Sequence, residues 1–301
     1  MSVSTFSPTE RTSTAAGYAG AIVTVLIWAT WVLATRHTAS TSLTTVDVGL
    51  LRYGVPAIVL APIWVRMGLL PKGVPLRLIV MMVAGAGALF FQVTAYALHS
   101  TPAAAGGILL GGSMPLATAV IGIILFGERP DRMRVLGLLA ILAGLAILLG
   151  KALFSGGMTL TGFALLPFGG LLWAGYTHAF RRSGLTPLQG GALITSWSTF
   201  IHLGLAVIFG TTLAAAPLSE VAVQFTSQGI LSGLVATFAY GTAIRALGGT
   251  QAAAFTAITP VLVTLGGGLL LGEPLGMTEM AAAVVTGAGV ALSTGILSKR
   301  A

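Results

Sequence analysis

The sequence predicts an all-α integral membrane protein: ten transmembrane helices built as two inverted five-helix repeats around a central cavity. Three observations predict it. The composition has almost no charge, apolar runs long enough to cross a bilayer follow one another, and the motifs of the first half return in the second. Of 301 residues, 55% are hydrophobic and 7% are charged, with a mean hydropathy of +0.97. A soluble domain carries about 25% charged residues, so this chain could not clothe a surface in water. Hydrocarbon removes that requirement, and about 20 apolar residues span it as a helix.

The same composition excludes several kinds of chemistry. There is no Cys and no Asn, hence no disulfide, thiolate metal site, thiol nucleophile or N-linked glycan. The net charge of +8 forms no basic stripe that could track phosphates, so nucleic acid is not an expected partner. The lipid bilayer is. No cofactor and no metal are expected, and the sequence does not fix an oligomeric state.

Apolar runs and breaks place spans at 17–35, 46–67, 76–98, 101–125, 132–150, 159–180, 188–211, 222–246, 251–271 and 277–297. Residues 1–16 form a polar tail expected on the cytoplasmic side. The first repeat covers 17–150, a linker 151–158, the second repeat 159–297, and a short tail 298–301. Pro71, Pro75, Pro130, Pro187 and Pro274 fall at the breaks, as helix starts and turns favour. With a cytoplasmic N-terminus, Arg66, Lys72, Arg77, Arg129, Arg132, Arg134, Arg181, Arg182 and Arg245 fall inside, against Arg36 and Lys151 outside. That bias predicts that both termini are cytoplasmic.

The repeat is read from ordered matches. Trp28-Ala29 followed by Arg36 returns as Trp173-Ala174 followed by Arg181, a step of 145 residues. The same step maps Pro115 onto Pro260, Gly127-Glu128 onto Gly272-Glu273, and Gly144 onto Gly289. Between them, Ala97-Leu98-x-x-Thr101-x-Ala103-Ala104-Ala105 returns as Ala246-Leu247-x-x-Thr250-x-Ala252-Ala253-Ala254, a step of 149. The difference is about one helical turn, expected near Leu109–Gly112 of the first half. Five spans per repeat put the second half into the membrane upside down. Inverted repeats suit a carrier that rocks about a central site.

These features resemble the EamA family of the drug/metabolite transporter superfamily. The resemblance rests on ten spans, duplicated halves, and a proline in spans 4 and 9 followed thirteen residues later by Gly-Glu. It covers residues 17–297 and lies nearest to bacterial exporters of aromatic and other amino acids. It implies a transporter in the bacterial cytoplasmic (inner) membrane that exports small metabolites such as amino acids. Export by alternating access and a small-molecule substrate follow from the same resemblance.

Candidate substrate-binding residues lie where polarity or aromaticity interrupts a span. Trp28 and Trp31 lie one helical turn apart and are matched by Trp173 and Tyr176, about halfway through their spans, where rings could stack on a substrate. Gln92, Tyr96 and His99 share one face of their helix, and a polar stripe should avoid lipid. Arg52 is a cation well inside a span, able to snorkel, to pair with Asp47, or to hold a substrate carboxylate. Pro115 and Pro260 each remove a helical hydrogen bond and free the carbonyls of Gly111 and Thr256. Packing kinks and paired hinges beside the substrate are both consistent with them. Gly107-x-x-x-Gly111 and Gly229-x-x-x-Gly233 suit close helix contacts.

Rival functions differ in what they require. A membrane-embedded enzyme is disfavoured, since Ser113 has no Gly-x-Ser-x-Gly elbow and Asp47 and Asp131 both sit at helix ends. A passive pore, or a carrier for another metabolite or drug, fits the same architecture. No Asp or Glu falls in mid-span, so weak or absent ion coupling is expected.

Overall fold

A computed structural model describes residues 13–155 and 160–295. Of the expected tail 1–16, residues 1–12 lie outside it, while Ser13 caps α1 and 14–16 already belong to that helix. Residues 156–159 of the linker, 296–297 and the tail 298–301 also lie outside. Among the described residues the chain is helical and contains no strand. Its helices are α1 (Thr14–His37), α2 (Thr45–Val59), α3 (Ala61–Met67), α4 (Leu76–Ala86), α5 (Ala88–Ser100), α6 (Ala103–Phe126) and α7 (Arg132–Ser155). The second half continues with α8 (Leu160–Ser183), α9 (Pro187–Phe209), α10 (Leu218–Gln224), α11 (Ala236–Leu247), α12 (Gly249–Phe255), α13 (Thr259–Leu271) and α14 (Met277–Ser293). A π-helical stretch, Phe225–Val235, joins α10 to α11, and a 3-10 turn, Thr256–Ile258, joins α12 to α13.

Seven of the described segments are long and apolar enough to cross a membrane, or eight when α2 and α3, bent by 75°, count as one span. The sequence leads one to expect ten. The two that fall short are α8 and α14. Helix α8 has the length, at 24 residues, but Thr161, Trp173, Tyr176, Thr177, His178 and its terminal Arg181 and Arg182 dilute its apolarity. Helix α14 has 17 residues, about 25 Å of helix against about 30 Å of hydrocarbon.

Local signals explain the ends. Thr44 and Asp47 form a reciprocal capping box at α2, and Thr186 and Gln189 form another at α9, where Pro187 occupies the first turn. Helices α6 and α13 both stop at a glycine in the left-handed region, Gly127 (φ 64°) and Gly272 (φ 66°). Only glycine adopts that conformation without a steric cost.

Packing pairs the halves. Helix α1 lies against α11 and the π stretch, while α8 lies against α4 and α5. Helices α2 and α9, α6 and α13, and α7 and α14 also pack on one another. Lipid tails are as apolar as leucine, so such contacts rely on close backbone approach through small residues. The α7–α14 pair is the clearest case. A Cβ at Gly289 would lie 2.6 Å from the Ile141 nitrogen, and one at Gly137 would lie 2.7 Å from the Gly289 oxygen. At Gly144 a Cβ would meet the Thr286 hydroxyl at 2.1 Å.

The interior also holds a broken helix. Gly87 separates α4 from α5, and the polar groups freed there find partners across the fold. Tyr53 Oη donates to the carbonyls of Ala86 (3.1 Å) and Gly87 (2.9 Å), and Ser198 Oγ accepts the Ala88 amide (3.0 Å).

Gly289→Val should force α7 and α14 apart and destabilise the fold by about 1–3 kcal/mol, the usual range for overpacking. Gly150→Ala, with open space around its Cβ position, serves as the matched control. Thermal unfolding of the two purified variants in detergent should separate them by several degrees.

Candidate functional site

A cavity of about 130 Å³ opens between the halves. Helix α2 lends it Arg52, Tyr53 and the following Leu60, α4 lends Ala86 and α8 lends Trp173. Its other walls are Leu188, Gly191, Ile194 and Thr195 of α9, Ser232 and Gly233 of the π stretch, and Thr237 and Phe238 of α11. A larger depression of about 390 Å³ near Arg66 and Gln189 shares none of these residues and is a shallow feature of the α3–α9 surface.

Arg52 sits where α2 crosses the π stretch. The helices approach closely because Gly229 faces Leu51 and Val55, with its Cβ position 2.8 Å from Val55, and Gly233 faces Pro56 at 3.0 Å. The π stretch turns Gln228 and Ser232 toward α2, and Arg52 Nη1 donates to Gln228 Oε1 (3.1 Å) and Ser232 Oγ (3.0 Å). Gln228 is anchored in turn, its Nε2 donating to Thr35 Oγ1 at 2.9 Å. The guanidinium carbon lies 5.1 Å from the Trp31 ring centre, 5.6 Å from Tyr53 and 5.7 Å from Phe91. Such contacts favour a cation but do not neutralise it. No carboxylate among the described residues is within ion-pair reach of Arg52, and the expected alternative, Asp47, is held elsewhere. Asp47 accepts from Thr44, Thr211 and Thr212, pinning the 211–212 segment to the start of α2. The Arg52 Nε–H is buried without a partner, as is the indole N–H of Trp31.

The expected aromatic residues divide. Trp31 stacks on Phe90 (6.0 Å), Phe90 meets Trp173 (5.4 Å), and Trp173 meets Tyr176 (5.1 Å), a continuous row from α1 through α5 to α8. Trp28 stands apart, against Tyr240 at 5.3 Å. Gln92 belongs to a buried structural network: its Oε1 accepts from Thr45 Oγ1 (2.6 Å) and its Nε2 donates to the Thr45 carbonyl (3.1 Å). His202 Nδ1 faces the Ser198 carbonyl at 2.7 Å and must carry the proton, so its Nε2 accepts from Gln92 at 3.0 Å. Both side chains are satisfied with a neutral imidazole. Tyr96 is 63% exposed and is not among the walls of the cavity. His99 lies at the end of α5, where its carbonyl accepts from Arg36 at 2.5 Å.

The two prolines are not equivalent. Pro115 lies inside an unbroken α6, whereas Pro260 opens α13 after the 3-10 turn. The carbonyl of Thr256, expected to be free, accepts the Thr259 amide, because the tighter turn supplies a donor one residue earlier than an α-helix would. The carbonyl of Gly111 does lose its helical donor to Pro115, and a Cβ at Gly111 would come 3.2 Å from the Pro260 ring. Sequence reasoning passed over Gln228, Ser232 and Phe90. Gln228 and Ser232 are polar residues four apart in an apolar run, the same kind of signal that singled out Gln92 and Tyr96. Phe90 carried no signal beyond its ring.

The fold and its apolar spans define a multi-pass helical membrane protein with a cavity between its helices. Residues 15–150 match the EamA-like transporter family. A Pseudomonas aeruginosa protein named "Uncharacterized protein PA1977" is 34% identical over 212 residues, covering 69% of this chain and 71% of that protein. A solved crystal structure 22% identical to the chain superposes with a TM-score of 0.62, covering 96% of this chain and 99% of the other. That likeness shows the fold alone. The chain belongs to the EamA-like family and is a membrane transporter of the drug/metabolite transporter type.

Ser198→Ala should strand the buried Ala88 amide at the α4–α5 break, costing about 1–3 kcal/mol. The same mutant should bind substrate with affinity unchanged within twofold, since Ser198 is not a wall of the cavity. Paired measurements of thermal unfolding and ligand binding check both halves of that expectation.

Proposed function

We propose that the protein is a secondary carrier that exports small carboxylate-bearing metabolites, amino acids and aromatic ones among them, by alternating access. The observation that carries this reading is Arg52: a cation on the cavity wall, without an acidic partner, with an unused N–H beside a row of aromatic rings. An ionisable residue at membrane depth marks a substrate path by default. A guanidinium offers parallel donors that suit a carboxylate, and Trp173 on the cavity wall offers a face for an apolar or aromatic side chain.

The repeat supports alternating access. The pairing of α1 with α11 mirrors that of α8 with α4 and α5, while α2–α9, α6–α13 and α7–α14 each relate a helix to its own copy. This is the pattern expected of ten spans and a pseudo-two-fold axis relating 17–150 to 159–297. Gly111 against Pro260 then marks the pivot between α6 and α13. The excess of Lys and Arg in alternate loops supports cytoplasmic termini in the inner membrane. The lack of a carboxylate at the cavity supports facilitated diffusion or exchange.

Purified protein in liposomes, offered a panel of radiolabelled amino acids, should show saturable uptake with trans-stimulation. Uptake that never saturates would identify a pore instead, and strict dependence on an imposed proton gradient would count against this mechanism. Arg52→Gln should weaken carboxylate substrates about tenfold to a hundredfold, the equivalent of about 1.5–3 kcal/mol for hydrogen bonds to a charged group. Decarboxylated amines should be spared. Trp173→Ala should weaken aromatic substrates more than small ones, by up to about tenfold for roughly 0.5–1.5 kcal/mol of stacking. Equal losses for every substrate would assign both residues to packing.

The topology has its own test, since no native cysteine interferes. Lys72→Cys and Arg132→Cys should react with impermeant maleimide only from the cytoplasmic side. Labelling of either from outside alone would overturn the orientation.

A further inference from the structure

Helices α6 and α13 end in the same way, yet their terminal carboxylates are used differently. After Gly127 the amide of Glu128 bonds back to the Gly122 carbonyl at 3.0 Å, and after Gly272 the amide of Glu273 bonds back to Gly267 at 3.1 Å. Both carboxylates fold over that glycine: a Cβ at Gly122 would lie 2.6 Å from Glu128 Oε2, and one at Gly267 would lie 3.3 Å from Glu273 Oε2. Two copies of one motif therefore present one acid each, at opposite ends of the α6–α13 crossing.

At one end the acid is clasped. Glu273 Oε1 accepts from Arg36 Nε at 2.8 Å, and its Oε2 accepts the Ala103 amide at the start of α6 at 2.7 Å. Arg36 also donates to the carbonyls of Leu98 (3.3 Å) and His99 (2.5 Å). One ion pair thus ties together the ends of α1, α5 and α13 and the beginning of α6. The helices are close there, with a Cβ at Gly267 lying 3.1 Å from Ala103.

At the other end the equivalent clasp is undone. The copy of Arg36 is Arg181, in the last turn of α8. It is exposed, and among the described residues no ion pair joins it to Glu128. Glu128 is one-third exposed and reaches only Arg134, at 3.4 Å. The copy of Ala103 is Ala252, which lies three residues inside α12 instead of at its first position, and its amide makes the ordinary helical bond to the Gly248 carbonyl at 3.0 Å. The cavity lining extends toward this same end, through Leu60, Leu188 and Gly191.

We propose that Glu273 and Glu128 are alternating latches of the cavity. Glu273 with Arg36 and the start of α6 closes one face in the state described. Glu128 with Arg181 and the start of α12 closes the other face in the opposite state, when Glu273 lets go. The proposal rests on the carrier reading above. It assigns gating to two acids and two arginines that touch no substrate. A latch of this kind must be breakable, and a partly exposed ion pair is, because its Coulomb gain is offset by desolvation and lost side-chain freedom.

The test reads which face is open and needs no substrate, so its failure is separable from a failure of transport. A single reporter, Ile194→Cys on the cavity wall, is labelled with impermeant maleimide in right-side-out and inside-out vesicles. The parent should react chiefly from the Glu128 face. Glu273→Gln should raise labelling from the Glu273 face several-fold and lower it from the other. Glu128→Gln should do the reverse, suppressing what labelling the Glu273 face allows. Exchanging the charges (Arg36→Glu with Glu273→Arg) should return the ratio toward that of the parent. An unchanged face ratio in a folded Glu273→Gln variant would overturn the proposal. If that variant does not fold, the exposed Glu128→Gln decides alone: unaltered labelling from the Glu273 face would overturn it equally.

Discussion

The structure depends on one constraint: in hydrocarbon, every backbone N–H and C=O needs a partner inside the protein. Irregular backbone at membrane depth is tolerated only beside a cavity or with partners inside the protein, and three irregularities here are answered by a specific side chain or turn. The break at Gly87 is answered by Tyr53 and Ser198, reaching across from α2 and α9. The bend after α2 is answered by the Leu60 amide bonding to Pro56 and by the Trp64 indole donating to Ala57 at 2.8 Å. The segment after α9 hangs on Asp47 through two threonines. Gln92, a polar residue that looks like part of a transport path in the sequence, is likewise spent on structure, bonding Thr45 and His202.

That division explains what could be read from the sequence and what could not. Membrane residence, helix positions and the family were legible, because they follow from apolar run length and from motifs recurring in order. Helix breaks were harder. Apolarity is blind to whether twenty residues form one helix or two, so 76–98 reads as a single span although Gly87 divides it. Expecting one extra turn in the first half was sound in arithmetic. In space, α6 runs unbroken for 24 residues, while its copy is split by the 3-10 turn at Thr256–Ile258.

The candidate site was half legible. Arg52, Trp31, Trp173 and Tyr176 stand out because a charge or a large ring in mid-span is rare, and the structure brings these candidates into one neighbourhood. Tyr96 was misleading: a helical stripe predicts a common face but not which neighbour covers it. Gln228 and Ser232 carried the same four-residue signal, but their partner did not show in it, because a π-helical register shifts side chains around the axis relative to an α-helix.

The two halves share ordered motifs but not one backbone path, the first holding a continuous α6 and the second a broken α12–α13. On the proposed alternating-access reading, exchange of roles between them is not between states of equal free energy, and the empty carrier spends unequal time facing the two sides. For a carrier without ion coupling, equilibrium fixes the ratio of maximal rate to half-saturation to be the same in both directions. Inequality between the empty states then appears in the separate constants: the two faces saturate at different concentrations and run at correspondingly different top speeds. On that reading, the difference between the halves sets how the transporter responds to metabolite levels on each side, while leaving the gradient alone to decide the direction of net flow.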